Sequence, residues 1–180
     1  YFKGVPLNTS VTRIAYGFKV EALSYQTIGC NVPEVDGLTQ TGVRPQQAAF
    51  LDGEFPTAKF VAPYSAAMYP GVELSRVISI IDDAYVIIDR LQSDRPRRYS
   101  FVFYPAAKEM SFSGAGEFQP YDVFKDEGKV YDAIKSPARA TFPGRFTIDY
   151  KSSGSEKAFP TRAHFILDGE GEIVKGETMT

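Results

Sequence analysis

Several shortages frame what this 180-residue chain can be. Its single cysteine, Cys30, rules out an intrachain disulfide. His164 is its single histidine, and a zinc site of the usual kind needs three or four cysteine or histidine ligands, so one chain cannot build it. Tryptophan is absent, and no apolar run approaches the roughly 18–20 residues of a helical membrane span. Charge of one sign is equally scarce. With 20 basic and 22 acidic residues the net charge is -2, and like charges run no further than pairs such as Arg97-Arg98. Nothing in that balance points to nucleic acid or an anionic membrane. Nucleotide-binding glycine loops, the GxSxG elbow and the EF-hand pattern are also missing, so no cofactor and no metal are expected.

What is present is a β-forming, aromatic-rich sequence with 14 Phe and 11 Tyr. Residues 74–104, LSRVISIIDDAYVIIDRLQSDRPRRYSFVFY, organise it. They are expected to form three consecutive strands at 74–81, 85–89 and 97–104, joined by Asp82-Asp83-Ala84 and by a connection through Pro96. Val77, Ile78, Ile80, Ile81 and then Val86, Ile87, Ile88 are apolar on both faces. A sheet centre covered on both sides is the expected setting for such runs.

Shorter strands surround that stretch. Residues 16–23 alternate as a half-exposed strand, and 27–31 form another, broken at Pro33. Val35-Asp36-Gly37 is a turn signature, and Asp52-Gly53-Glu54 is read as a hairpin between 48–51 and 55–61. A polar loop fills 38–47, and 113–139 is a long, loosely patterned excursion. Residues 145–150 alternate Phe146, Ile148, Tyr150 against Arg145, Thr147, Asp149, while 158–167 and 172–174 close the chain as strands about Asp168-Gly169. The expected fold is all-β, a single antiparallel β-sandwich domain of many short strands. The chain opens with YFKGVPLNTS and no initiator methionine, and is expected to be a piece of a longer protein.

Side chains able to do chemistry are few. Tyr25, Tyr64, Tyr69 and Tyr104 fall near loops or strand ends, where a ring can stack on a sugar and a hydroxyl can bond it. Arg44, Arg76 and Arg90 have the charge to bind a uronate or sulfate. Arg76, inside an apolar run, needs a partner, and Asp89 on the next strand is the natural one. Asp36 and Asp52 are turn residues. Cys30 and His164, flanked by apolar residues, are expected to be a buried structural thiol and a core-edge histidine.

Two stretches carry a resemblance. In SYQTIGCNVPEVDGLTQ, residues 24–40, Asn31, Val35-Asp36-Gly37 and Gln40 fit one pattern. Farther on, Ser75-Arg76-Val77 followed by YVIIDRL fits a second, and RAHFILDGEGEIVKG a third. In that order and spacing they resemble the β-sandwich half of heparinase II/III-like polysaccharide lyases, over about residues 18–175. The resemblance implies a carboxy-terminal sandwich preceded by a helical toroid, forming one wall of a cleft where uronate glycans undergo β-elimination. It implies partners in that upstream helical domain and in an acidic polysaccharide, and a periplasmic or secreted location. Its substrate-binding candidates are Asn31, Gln40, Arg44, Tyr104 and His164.

The sequence departs from the family where imidazoles are needed. Cys30 stands at the histidine of a His-Asn-Thr strand, Val32 replaces the threonine, and the strand expected to end in histidine ends at Tyr104-Pro105. No catalytic residue is therefore assigned to this chain by itself. A non-catalytic glycan-binding or structural β-sandwich module, serving a cell-surface glycan-utilisation system, is the alternative.

Overall fold

A computed structural model of the chain describes residues 30–40, 47–49, 58–81, 84–105, 107, 109–122, 134–151 and 159–178. Twelve strands and no helix are found among them: β1 (Pro33–Val35), β2 (Gln47–Ala49), β3 (Ala58–Tyr69), β4 (Val72–Ile81), β5 (Ala84–Ser93), β6 (Tyr99–Phe101), β7 (Met110–Ser113), β8 (Gln119–Pro120), β9 (Ile134–Phe142), β10 (Arg145–Lys151), β11 (Pro160–Ile166) and β12 (Gly171–Thr178). Every strand pairing is antiparallel, so the all-β expectation holds. The strands expected at 16–23 and before Cys30, the Asp52-Gly53-Glu54 turn and the middle of the 113–139 excursion lie outside the described residues. The chain divides into two compact units, Pro33–Phe101 and the remainder, Tyr1–Val32 with Val102–Thr180.

In the Pro33–Phe101 unit a four-stranded sheet runs in the order β2-β3-β4-β5, beside a two-stranded pair, β1-β6. Tyr69-Pro70-Gly71-Val72 joins β3 to β4. Proline presets φ at the second turn position, and Gly71 supplies φ +72° at the third, where a Cβ would also press on the Asp94 carboxylate. Val35, Tyr69, Val72 and Leu74 form the core, with Met68 and Leu91 packed against it. The Tyr69 hydroxyl donates to the Pro33 carbonyl at 3.0 Å, so this ring fills the core and satisfies its own polar tip there. It is not a sugar platform.

Two features of the expected central meander are corrected. Among the described residues strand β5 is the sheet edge, with Tyr85, Val86, Ile87 and Ile88 exposed. A β-branched run secures strand conformation by propensity and does not by itself require cover on both faces. The third strand also leaves this sheet: β6 pairs with β1 through Pro33↔Phe101, Glu34↔Ser100 and Val35↔Tyr99. Pro33 thus opens a strand instead of breaking one, as proline can at a first position.

The Arg76–Asp89 pair forms as expected. These residues are direct cross-strand partners on β4 and β5, and the guanidinium grips the carboxylate at 2.6 and 2.9 Å. Their side chains are only 11% and 14% exposed, and the Phe101 ring lies 5.7 Å from the guanidinium carbon.

The other unit contains two three-stranded sheets, β11-β10-β7 and β12-β9-β8. The alternation read at 145–150 is realised on β10: Ile148 and Tyr150 are buried, Phe146 is half-buried, and Arg145 is exposed. Rings finish the packing. Phe146 stacks on Phe165 at 4.5 Å with the planes 2° apart, Phe142 meets Phe146 edge-on at 4.7 Å, and Phe103 sets its edge against Phe165 at 5.3 Å. The closing strands do not pair with each other. β11 joins β10, whereas β12 joins β9.

Asp89→Ala, which leaves the Arg76 guanidinium without its carboxylate in a mostly buried position, is expected to lower the unfolding free energy by about 3 kcal/mol in urea titrations. The double replacement R76M/D89L should recover most of that loss. A cost for D89A below about 1 kcal/mol would show that the pair behaves as an exposed one.

Candidate functional site

Asn31 and Tyr104 are brought together. The Asn31 side-chain carbonyl accepts the Tyr104 backbone N–H at 2.6 Å, across 73 residues of sequence, and both residues are half-buried. Beside it, the Val102 N–H donates to the Val32 carbonyl at 3.4 Å. The carboxamide therefore fixes the chain at the end of the 97–104 segment, where a backbone donor would otherwise need another acceptor.

Gln40, in the Pro33–Phe101 unit, is half-buried, with its amide nitrogen 3.5 Å from the Pro33 carbonyl. Arg44 lies outside the described residues, as does Tyr25. Arg76 is committed to Asp89, whereas Arg90 is exposed on β5 with an Nη2 contact to the Gln92 side chain at 3.3 Å.

His164 and Cys30 depart from expectation. His164 is exposed on β11, and its Nδ1 lies 3.3 Å from the Thr147 hydroxyl on the neighbouring strand. The strand alternation explains this: Ala163 and Phe165 point inward, so the residue between them points out. Cys30 is half-buried and sits in a bend.

Register on the β11-β10-β7 sheet sets its outer side chains in rows. Ile166 faces Arg145; His164, Thr147 and Ser113 align; Arg162, Asp149 and Ser111 align; Pro160 faces Lys151. Arg162 clamps Asp149 through Nε at 2.6 Å and Nη2 at 3.1 Å. That hydrogen bond is the main reason the Asp149 carboxyl titrates below its usual range, and it raises the arginine in turn. On the opposite face, burial pushes the Tyr150 hydroxyl up, which suits a packing ring better than a proton donor.

A second polar constellation escaped the sequence reading. Asp36 and Gly37 both take positive φ, at 53° and 72°, in the tight turn between Val35 and Leu38. The Asp36 carboxylate accepts the Arg98 N–H at 2.9 Å and Arg97 Nη1 at 2.9 Å, while Arg97 Nη2 donates to the Pro70 carbonyl at 3.1 Å. Those two bonds, the Arg98 N–H foremost, hold the Asp36 carboxyl below the usual carboxylate range. Sequence marks Asp36 as a turn residue, but its partners lie about sixty positions away and carry no local signature.

An open recess of about 340 Å³ is bounded by Gly71, Val72, Glu73, Gln92, Ser93 and Asp94. Glu73 and Asp94 give it the wrong sign for a uronate. Of the sequence-derived binding candidates among the described residues, Asn31, Gln40, Tyr104 and His164, none lines it. Among the described residues, no group of three or more His, Cys, Asp or Glu is placed to hold a metal, and no helix is long and apolar enough to cross a membrane. No family model matches the chain, and no curated protein matches it significantly.

The Asp36 anchor should show in acid. A carboxyl whose folded value is depressed stabilises the fold above its unfolded value, about 3.9 for aspartate, and that contribution disappears as pH falls through the folded value. Wild type is therefore expected to melt above D36N at neutral pH, with the gap closing only on acidification below that range. Thermal denaturation across pH checks this, and a gap that widens on acidification would contradict it.

Proposed function

We propose that this chain is the β-sandwich domain of a heparinase II/III-like polysaccharide lyase, forming one wall of a cleft for uronate-containing glycans. The observation that carries the reading is the Asn31–Tyr104 bond. It joins two positions singled out by the resemblance, one in the first matching stretch and one at the end of the 97–104 segment. The Arg76–Asp89 clamp adds to it, because both residues belong to the second matching stretch and act as one unit. Ring contacts between Phe142 on β9 and Phe146 on β10, and Lys175 on β12 set 5.6 Å from the Phe112 ring on β7, support two sheets packed as a sandwich.

The chemistry belongs elsewhere in the full protein. β-Elimination needs a base at the proton beside the carboxylate and an acid at the leaving oxygen, both within hydrogen-bond reach of one substrate. Here the imidazole is on an open strand face beside Thr147, and the Tyr69 hydroxyl is spent on a core carbonyl. The wall's work is to hold and orient an acidic glycan against an upstream helical domain, in a periplasmic or secreted protein. A second reading, a glycan-binding module without lyase activity, draws on the polar outer face of β11-β10-β7.

Ultraviolet absorbance of the unsaturated uronate product separates these readings when alginate, heparin or chondroitin is the substrate. The lyase reading expects a rise with the full-length protein and none with this chain alone. Turnover by the isolated chain would overturn the assignment of chemistry elsewhere. Full-length protein that binds these glycans without any rise would favour the second reading.

A further inference from the structure

The outer face of the β11-β10-β7 sheet is more than a solvated surface. Along the strand direction its four successive rows present Arg145, His164, Arg162 and Lys151, one cationic or protonatable group per row. Rows two residues apart on a strand are separated by about 7 Å, so the column spans roughly 20 Å. All four side chains are exposed. Asp149 is the carboxylate among these rows, and it is already held by Arg162 through Nε and Nη2. Arg162 is 62% exposed and keeps Nη1 clear of that bond, so its guanidinium can still donate outward. Ser111, Ser113 and Thr147 add hydroxyls beside the column.

We infer that this column binds a strand of acidic polysaccharide, with Arg162 and His164 at its centre contacting successive acid groups. Charge complementarity selects the occupant. A polymer with one acid on each sugar meets the cations Arg145, Arg162 and Lys151 along one column, while hydroxyls on both sides can exchange hydrogen bonds. No Phe or Tyr ring stands in these rows, so a neutral glycan gains no broad stacking surface there. The inference rests on the glycan reading for its ligand class and assigns that class to a face none of the matching motifs marks as a whole.

Calorimetric titration of the full protein with alginate oligosaccharides tests it, with neutral dextran and a DNA duplex as comparison ligands. R162A/H164A is expected to weaken alginate binding at least about tenfold, and R145A/K151A to weaken it in the same direction. The control K135A removes one exposed cation from β9 and should change affinity less than about twofold. Circular dichroism of each variant, matching wild type, keeps a folding defect from imitating the effect. Alginate affinity kept in R162A/H164A, or lost equally in K135A, would overturn this face while leaving the glycan reading standing. Equal binding of dextran or of the duplex would overturn the selection of an acidic glycan. Absence of alginate binding to wild type would overturn the inference and the glycan reading together.

Discussion

The Asp36 carboxylate is the constraint on which the Pro33–Phe101 unit depends. Its two oxygens take the Arg98 N–H and the Arg97 side chain, and the same guanidinium reaches the Pro70 carbonyl. One carboxylate thereby ties the turn after β1, the approach to β6 and the turn between β3 and β4. Arg97 is held so closely that its Nε lacks a hydrogen-bond partner among the described residues. Geometry of this kind demands a turn with two positive φ values, which only a short list of residues accepts, and Asp36-Gly37 is one of its natural solutions. The small core of Val35, Tyr69, Val72 and Leu74 is assembled next to that anchor.

Much of the fold was legible because local signals are strong in this chain. Asp-Gly and Pro-Gly turns, strict alternation at Arg145 to Tyr150 and β-branched runs each fix a strand or its end. Arg76 and Asp89 could be paired from sequence alone, since a cation within an apolar run needs a counter-charge on the strand that follows it. Topology was less legible. Residues 97–104 look like the next strand of a meander, yet Asp36 claims Arg97 and the Arg98 backbone, and β6 joins β1. A contact spanning 61 residues leaves no mark in the local pattern.

The candidate site divides along the same line. Asn31 and Tyr104 were named separately and prove to be one hydrogen-bonded unit. His164 was named, but its apolar flanks suggested the core. Those flanks, Ala163 and Phe165, face inward because the strand alternates, and that turns the imidazole outward beside Thr147. The rows around it depend on the register of three strands, so neither Arg162 with Asp149 nor the serines of β7 could be grouped with it beforehand.

The function proposed for the chain is to hold an acidic glycan on ordered strands and to leave bond-breaking to another part of the molecule. Backbone NMR of the chain during titration with a short alginate oligosaccharide tests that claim most directly. The account predicts that amide shifts will concentrate on Ser111, Ser113, Thr147, Arg162 and His164. Shifts confined to the acidic recess about Glu73 and Asp94, or no shifts at saturating oligosaccharide, would contradict it.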